Sequence, residues 1–139
     1  LFVADGTNNR VLIYHLDGGI WTGIDAGIVL GQTSFTTLFA ETDAGPAGLN
    51  YPRGIAFDPV ASRLYVADSS NNRVVVFTED GGFSNGQPAE FVIGQTEFYK
   101  KVSALSPGGL FSPRSLALDP ARRAGASGGP ASMAALQRI

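Results

Sequence analysis

The chain repeats itself. Sixteen residues at 1–16, "LFVADGTNNRVLIYHL", return at 64–79 as "LYVADSSNNRVVVFTE" with eight identities. The offset of 63 residues continues without a gap, carrying "DGG" at 17–19 onto 80–82 and "IVLGQTSF" at 28–35 onto "FVIGQTEF" at 91–98. It then falls to 61, and "LNYPRGIAFDP" at 49–59 lies over "LFSPRSLALDP" at 110–120. The connecting loops absorb the difference, since 36–48 has 13 residues and 99–109 has 11. Loops accept such changes; strands, whose side chains alternate between faces, do not. Self-similarity on this scale means an array of like units, each burying a face on its neighbour.

One unit is legible between 49 and 98. "RGIAFD" (53–58) reads as a first strand, closed by an Asp-Pro turn. "RLYVAD" (63–68) is a second, "SSNN" a tight connection, and "RVVVFT" (73–78) a third, rich in β-branched residues. "EDGG" turns the chain, and "EFVIGQT" (90–96) is a fourth strand. Connections this short make an antiparallel meander. The apolar runs are nearly continuous rather than alternating, as at Val74-Val75-Val76-Phe77, so both faces of the sheet are covered. A four-stranded sheet repeated in tandem and covered on both faces is a propeller blade. The expected fold class is all-β: β-propeller blades, in an incomplete propeller.

Composition narrows the function. Hydrophobic residues make up 44% of the 139 and charged residues 16%, a globular balance with a net charge of −2. That argues against a nucleic-acid partner, which needs a basic surface. There is no cysteine, hence no disulfide, thiolate metal site or thiol nucleophile. No apolar run approaches the roughly 20 residues of a membrane-spanning helix.

"P-R-G-I-A-F-D-P…L-Y-V-A-D-S-S-N-N-R-V-V-V-F" resembles the NHL repeat, which builds six-bladed propellers, and the "VIGQTEF" segment with its long loop resembles a bacterial variant with longer repeats. The resemblance spans about residues 1–120. It implies a partial blade over 1–48 (second to fourth strands and the inter-blade loop), a complete blade with its loop over 49–109, and the first strand of a further blade over 110–120. A closed ring takes about 4–8 blades, so the expectation is a piece of a longer array, completed by remaining blades of the same chain. After Pro120, "ARRAGASGGPASMAALQRI" departs from the pattern, and residues 121–139 are expected to be disordered or artefactual. The function implied is a binding scaffold, extracellular or on the cell surface, with a protein, peptide or glycan partner on its loop rim. The alternative is part of a propeller enzyme, a lyase or lactonase-like hydrolase with its metal ligands in other blades.

The recurrent polar set is Asp68…Asn71-Asn72-Arg73 and its twin Asp5…Asn8-Asn9-Arg10. Asn accepts positive φ in tight turns, and the Asp closing one strand can cap the turn and pair with the Arg opening the next. Its recurrence marks the set as blade-building equipment. Arg53 and Arg114 each follow a proline at the start of an innermost strand, near the channel mouth. They can attract an anionic ligand or peptide carboxylate, or pair with acidic neighbours between blades. With Asn71 and Asn72 they are the candidate ligand contacts. No catalytic residue, metal ligand or cofactor is expected. His15, the one histidine, has no second His or Cys near it. Trp21, an aromatic outside the repeat pattern, either covers its own hairpin or makes a contact. Asp58 and Asp119 precede prolines as turn residues.

Overall fold

The structure, a computed structural model, describes residues 1–39 and 44–121. Apart from Ala121, the tail expected to be disordered lies outside the described residues. Among the described residues seven strands make two antiparallel meanders. The first holds β1 (Phe2–Asp5), β2 (Arg10–Ile13) and β3 (Ile28–Leu30), in that order. The second holds β4 (Pro52–Asp58), β5 (Arg63–Asp68), β6 (Arg73–Thr78) and β7 (Phe91–Ile93).

Registers repeat with the sequence. Asp5 stands opposite Arg10 and Ala4 opposite Val11, as Asp68 stands opposite Arg73 and Ala67 opposite Val74. Each "xxNN" connection is a single 3₁₀ turn, Gly6–Asn8 or Ser69–Asn71, ended by an asparagine in the left-handed region, Asn9 at φ 54° and Asn72 at φ 53°. Asn adopts this conformation at lower cost than most residues.

The two sheets stack face to face. Val11 and Ile13 of β2 and Leu30 of β3 lie in one buried cluster with Leu64 and Val66 of β5 and Val75 and Phe77 of β6. Burying each large aliphatic side chain contributes about 1.5–3 kcal/mol. At one end Phe2, Phe57 and Phe83 close the cluster, with ring centroids 4.9, 5.9 and 6.4 Å apart. Because strand side chains alternate, each sheet meets its neighbour with a different face. The first sheet presents its Phe2, Val11, Ile13 and Leu30 side to the Val66, Asp68, Arg73 and Val75 side of the second.

Two boundaries differ from the sequence expectation. The fourth strand is only Phe91–Ile93, because Gly94 (φ 91°) turns the chain out of the ladder, as Gly31 (φ 85°) does after β3. Residues 110–120, expected as a first strand, carry no strand pairing. A first strand forms its ladder on a second, and none follows within the described residues.

Gly31 combines a glycine conformation with a close approach. A Cβ there would stand 2.5 Å from Leu49 Cδ1, and Leu49 is fully buried. Gly31→Ala should therefore lower the urea-unfolding free energy by about 1–3 kcal/mol, followed by circular dichroism. Gly94→Ala should cost less, because Leu110 is only half-buried and can give way.

Candidate functional site

The Asp…Asn-Asn-Arg set lies at one end of each sheet, where the second and third strands meet. In the second blade it is sealed: Asp68, Asn71 and Arg73 are all fully buried. Arg73 Nε donates to Asp68 Oδ2 at 2.7 Å. One terminal nitrogen donates to the carbonyls of Ala44 and Phe98, and the other to those of Gly45 (2.9 Å) and Gly48 (3.0 Å). A guanidinium has five N–H donors, and all five are used. Three of the carbonyls belong to the loop leaving the first blade, so this one side chain joins two blades.

Asp68 is held as tightly. Its carboxylate accepts from the Asn50 N–H at 2.7 Å and from Asn71 Nδ2 at 2.8 Å, besides Arg73. Burial pushes its pKa above the ordinary 3.8, against the pull of the Arg73 charge and of these hydrogen bonds.

The first blade repeats the motif at a shallower depth. Arg10 Nε donates to Asp5 Oδ2 at 2.7 Å and Nη1 to the Phe35 carbonyl at 2.6 Å. Asn8 Nδ2 donates to both Asp5 oxygens at 2.9 and 3.1 Å. The side chains of Arg10 and Asp5 remain 16% and 26% exposed. Partial burial pushes the Asp5 pKa up, but the bonds from Asn8 and Arg10 and the Arg10 charge outweigh it, and it lies below 3.8.

Sequence reasoning placed Asn71 and Asn72 among the ligand contacts; in the structure both side chains are engaged within the chain. Asn71 is wholly buried against Asp68. Asn72 has its side chain engaged at both ends, donating to the Lys101 carbonyl at 2.8 Å and accepting from the Ser112 N–H at 2.9 Å. Asn9 makes the same pair of bonds, to the Leu38 carbonyl (3.0 Å) and from the Tyr51 N–H (2.9 Å). The second asparagine therefore steers the chain into the next innermost strand.

Two residues of this framework escaped the sequence reading. Gln32 Nε2 donates to the carbonyls of Asn9 (3.1 Å) and Phe39 (2.6 Å), and Gln95 Nε2 to those of Asn72 and Val102, both at 2.8 Å. The repeated "GQT" was the available signal. The glutamine ties the fourth strand's exit to the turn and to the long loop.

Arg53 and Arg114 are different. Both are exposed. A Cβ on Gly54 would stand 2.8 Å from the Arg114 carbonyl oxygen and 2.9 Å from Ser115 Cα, so the two Pro-Arg segments run in backbone contact. The Arg53 guanidinium lies 4.8 Å from the Tyr51 ring centroid. His15 is exposed beside Gly27, and Trp21 rests over Gly18 of its own hairpin. Asp58 accepts from the Val60 and Ala61 N–H groups and Asp119 from that of Ala121, as turn residues do. Among the described residues no cluster of His, Cys, Asp and Glu can hold a metal ion, and no helix is long and apolar enough to cross a membrane.

Four-stranded and three-stranded meanders stacked face to face, with the same asparagine and glutamine links in each copy, are β-propeller blades. The family model of the NHL repeat matches residues 49–77, from the buried Leu49 to the end of β6, and the chain carries an NHL repeat there. No curated protein matches the chain.

The paired copies predict unequal costs. Arg73→Ala strips a fully buried carboxylate of its partner and should cost about 3–5 kcal/mol in urea-unfolding free energy. Arg10→Ala, at a part-exposed pair, should cost about 1 kcal/mol.

The two carboxylates also predict pH effects of opposite sign. Asp5 holds its proton less tightly folded than unfolded. Its contribution is complete above 3.8 and lost as pH falls through its lowered value. Asp68, with a raised value, favours the fold when protonated, and that contribution is lost as pH rises from 3.8 through the raised value. The gap in urea midpoint between wild type and Asp5→Asn should therefore be full at neutral pH and close in acid.

Proposed function

We propose that this chain is part of a protein-recognition propeller, in which Arg53 and Arg114 present paired cations to a carboxylate of a peptide or glycan partner. The blades it contributes are a partial one at 1–48 and a complete one at 49–109, with 110–120 opening the next. The observation that carries the reading is the contact of Gly54 with the Arg114–Ser115 backbone. It brings two exposed arginines onto adjoining Pro-Arg segments, while the side chains of Asn71 and Asn72 are engaged within the chain. Recurrence also fits: an arginine at this step of every blade makes a ring of positive charge, which attracts and orients an anion. Stacking on Tyr51 holds Arg53 ready, lowering the entropy lost on binding. A setting outside the cytoplasm is proposed with it, on the resemblance to bacterial chains with long repeats.

Binding of peptides with a free C-terminal carboxylate, compared with their amidated forms by fluorescence anisotropy, tests this. The free acids should bind more tightly, and added salt should weaken them. Arg53→Ala with Arg114→Ala should lose about tenfold or more in affinity, the equivalent of a charge-assisted hydrogen bond. Equal affinity for amidated peptides, or binding indifferent to both substitutions, would sink the proposal.

A further inference from the structure

We propose that Tyr51 and Leu38 form an apolar seat beside Arg53, which takes the last side chain of a peptide ending in an aromatic or large aliphatic residue. The inference deepens the carboxylate reading of the same rim and rests on it. Tyr51 stands where the next copy has Ser112, each directly ahead of a Pro-Arg pair. Both take the left-handed backbone region, Tyr51 at φ 55° and Ser112 at φ 46°. Both are held there through their N–H by the asparagine that ends the preceding turn, Asn9 or Asn72.

The backbone step recurs; the aromatic ring does not. A left-handed position suits glycine or asparagine, and a bulky ring there is uncommon. Since Ser112 makes the same step, the direction of the chain does not call for the ring of Tyr51. Core packing does not call for it either, because Tyr51 is 39% exposed and lies outside the buried cluster that joins the sheets. The ring lies against the Arg53 guanidinium, 4.8 Å from centroid to carbon.

Leu38 brings a second apolar side chain to the same place. The Asn9 amide donates to the Leu38 carbonyl at 3.0 Å while accepting from the Tyr51 N–H at 2.9 Å, so one side chain ties the two backbones together. Leu38 is 53% exposed, and the next copy carries Lys101 at its position, bonded in the same way to Asn72. The apolar residue is thus no more a need of the framework than the ring is. This joint lies between the two blades of the structure, not on either outer face of the pair.

Charge and apolar surface together select the occupant. The last residue of a peptide carries its carboxylate and its side chain on one α-carbon, and a cation with a ring beside it meets both at once. Tyrosine and arginine are also residues on which binding energy concentrates. An acidic sugar would set hydroxyl groups against Leu38, which offers them no hydrogen bond, and hydroxyls covered without partners cost affinity. The seat therefore favours a peptide over a glycan as the owner of the carboxylate.

The test uses the full chain and labelled peptides identical but for a terminal Phe, Leu, Ser or Gly, each as free acid and as amide, followed by fluorescence anisotropy. Wild type should bind the Phe and Leu acids about tenfold more tightly than the Gly acid. Tyr51→Ser, which installs the residue that the next copy carries at the same backbone step, should remove most of that preference while acids still bind better than amides. Tyr51→Phe should keep it. Leu38→Ser, at a more than half-exposed position, should weaken it too, and serves where circular dichroism shows Tyr51→Ser unfolded. A wild type indifferent to the terminal side chain overturns the proposal. So does a Tyr51→Ser variant that weakens every acid equally, since the tyrosine would then only position Arg53. A glucuronate-terminated oligosaccharide that binds more tightly than the Phe acid overturns it as well. Loss of the acid–amide difference with the side-chain preference intact would overturn the carboxylate reading and uphold the apolar seat.

Discussion

The architecture hangs on a guanidinium buried where two blades meet. Arg73 has no access to water, yet all five of its donors are matched, one by the Asp68 carboxylate and four by main-chain carbonyls. A buried ion is costly unless its partners are complete. This joint therefore accepts one arrangement of the loop 44–48 and no near alternative. An apolar interface of Val, Leu and Phe would hold two sheets together without setting their rotation as strictly, because hydrophobic contact is non-directional. Directional bonds from one planar group to carbonyls of two loops supply the angle.

The remaining polar residues extend that joint along the chain. Gln95 fastens the turn at Asn72 to the long loop at Val102, and Asn72 passes the chain on to Ser112 and the next innermost segment. Gln32 and Asn9 do the same one blade earlier. Long loops carry main-chain groups that need partners once covered, and amide side chains, with both donors and an acceptor, suit them. The loops can change length by two residues between copies because the anchors sit at their ends.

Much of this was legible in the sequence, for physical reasons that differ by residue. Strand positions showed because β-branched runs bounded by turn residues have few other uses, and the repeat fixed equivalent positions before any contact was known. The Asp68–Arg73 pairing was foreseeable, since an Asp ending one strand and an Arg opening the next must face each other across a tight connection. The division of labour between Asn71 and Asn72 was not. Both suit a tight turn, and only the backbone shows that the second takes the left-handed conformation while the first folds inward. The glutamines were hidden for a related reason: their partners are main-chain carbonyls, which leave no trace in residue identity. The early end of the fourth strand depended on Gly94, whose positive φ is one of several conformations open to glycine.

Comparing the two copies separates what the motif does from what its surroundings add. Asp5 and Asp68 follow the same Val-Ala pair, lead into the same Asn-Asn-Arg and make the same 2.7 Å bond to an arginine, yet their proton affinities move in opposite directions. Local chemistry is constant; coverage by the loop of the preceding blade is not. For the same reason, recurrence alone does not nominate a residue for binding. Asn71 and Arg53 belong to motifs that recur equally well, but the first is spent inside its blade and the second reaches the surface. Among these motif residues, Arg53 and Arg114 stay at the surface because the joint between blades does not use their side chains.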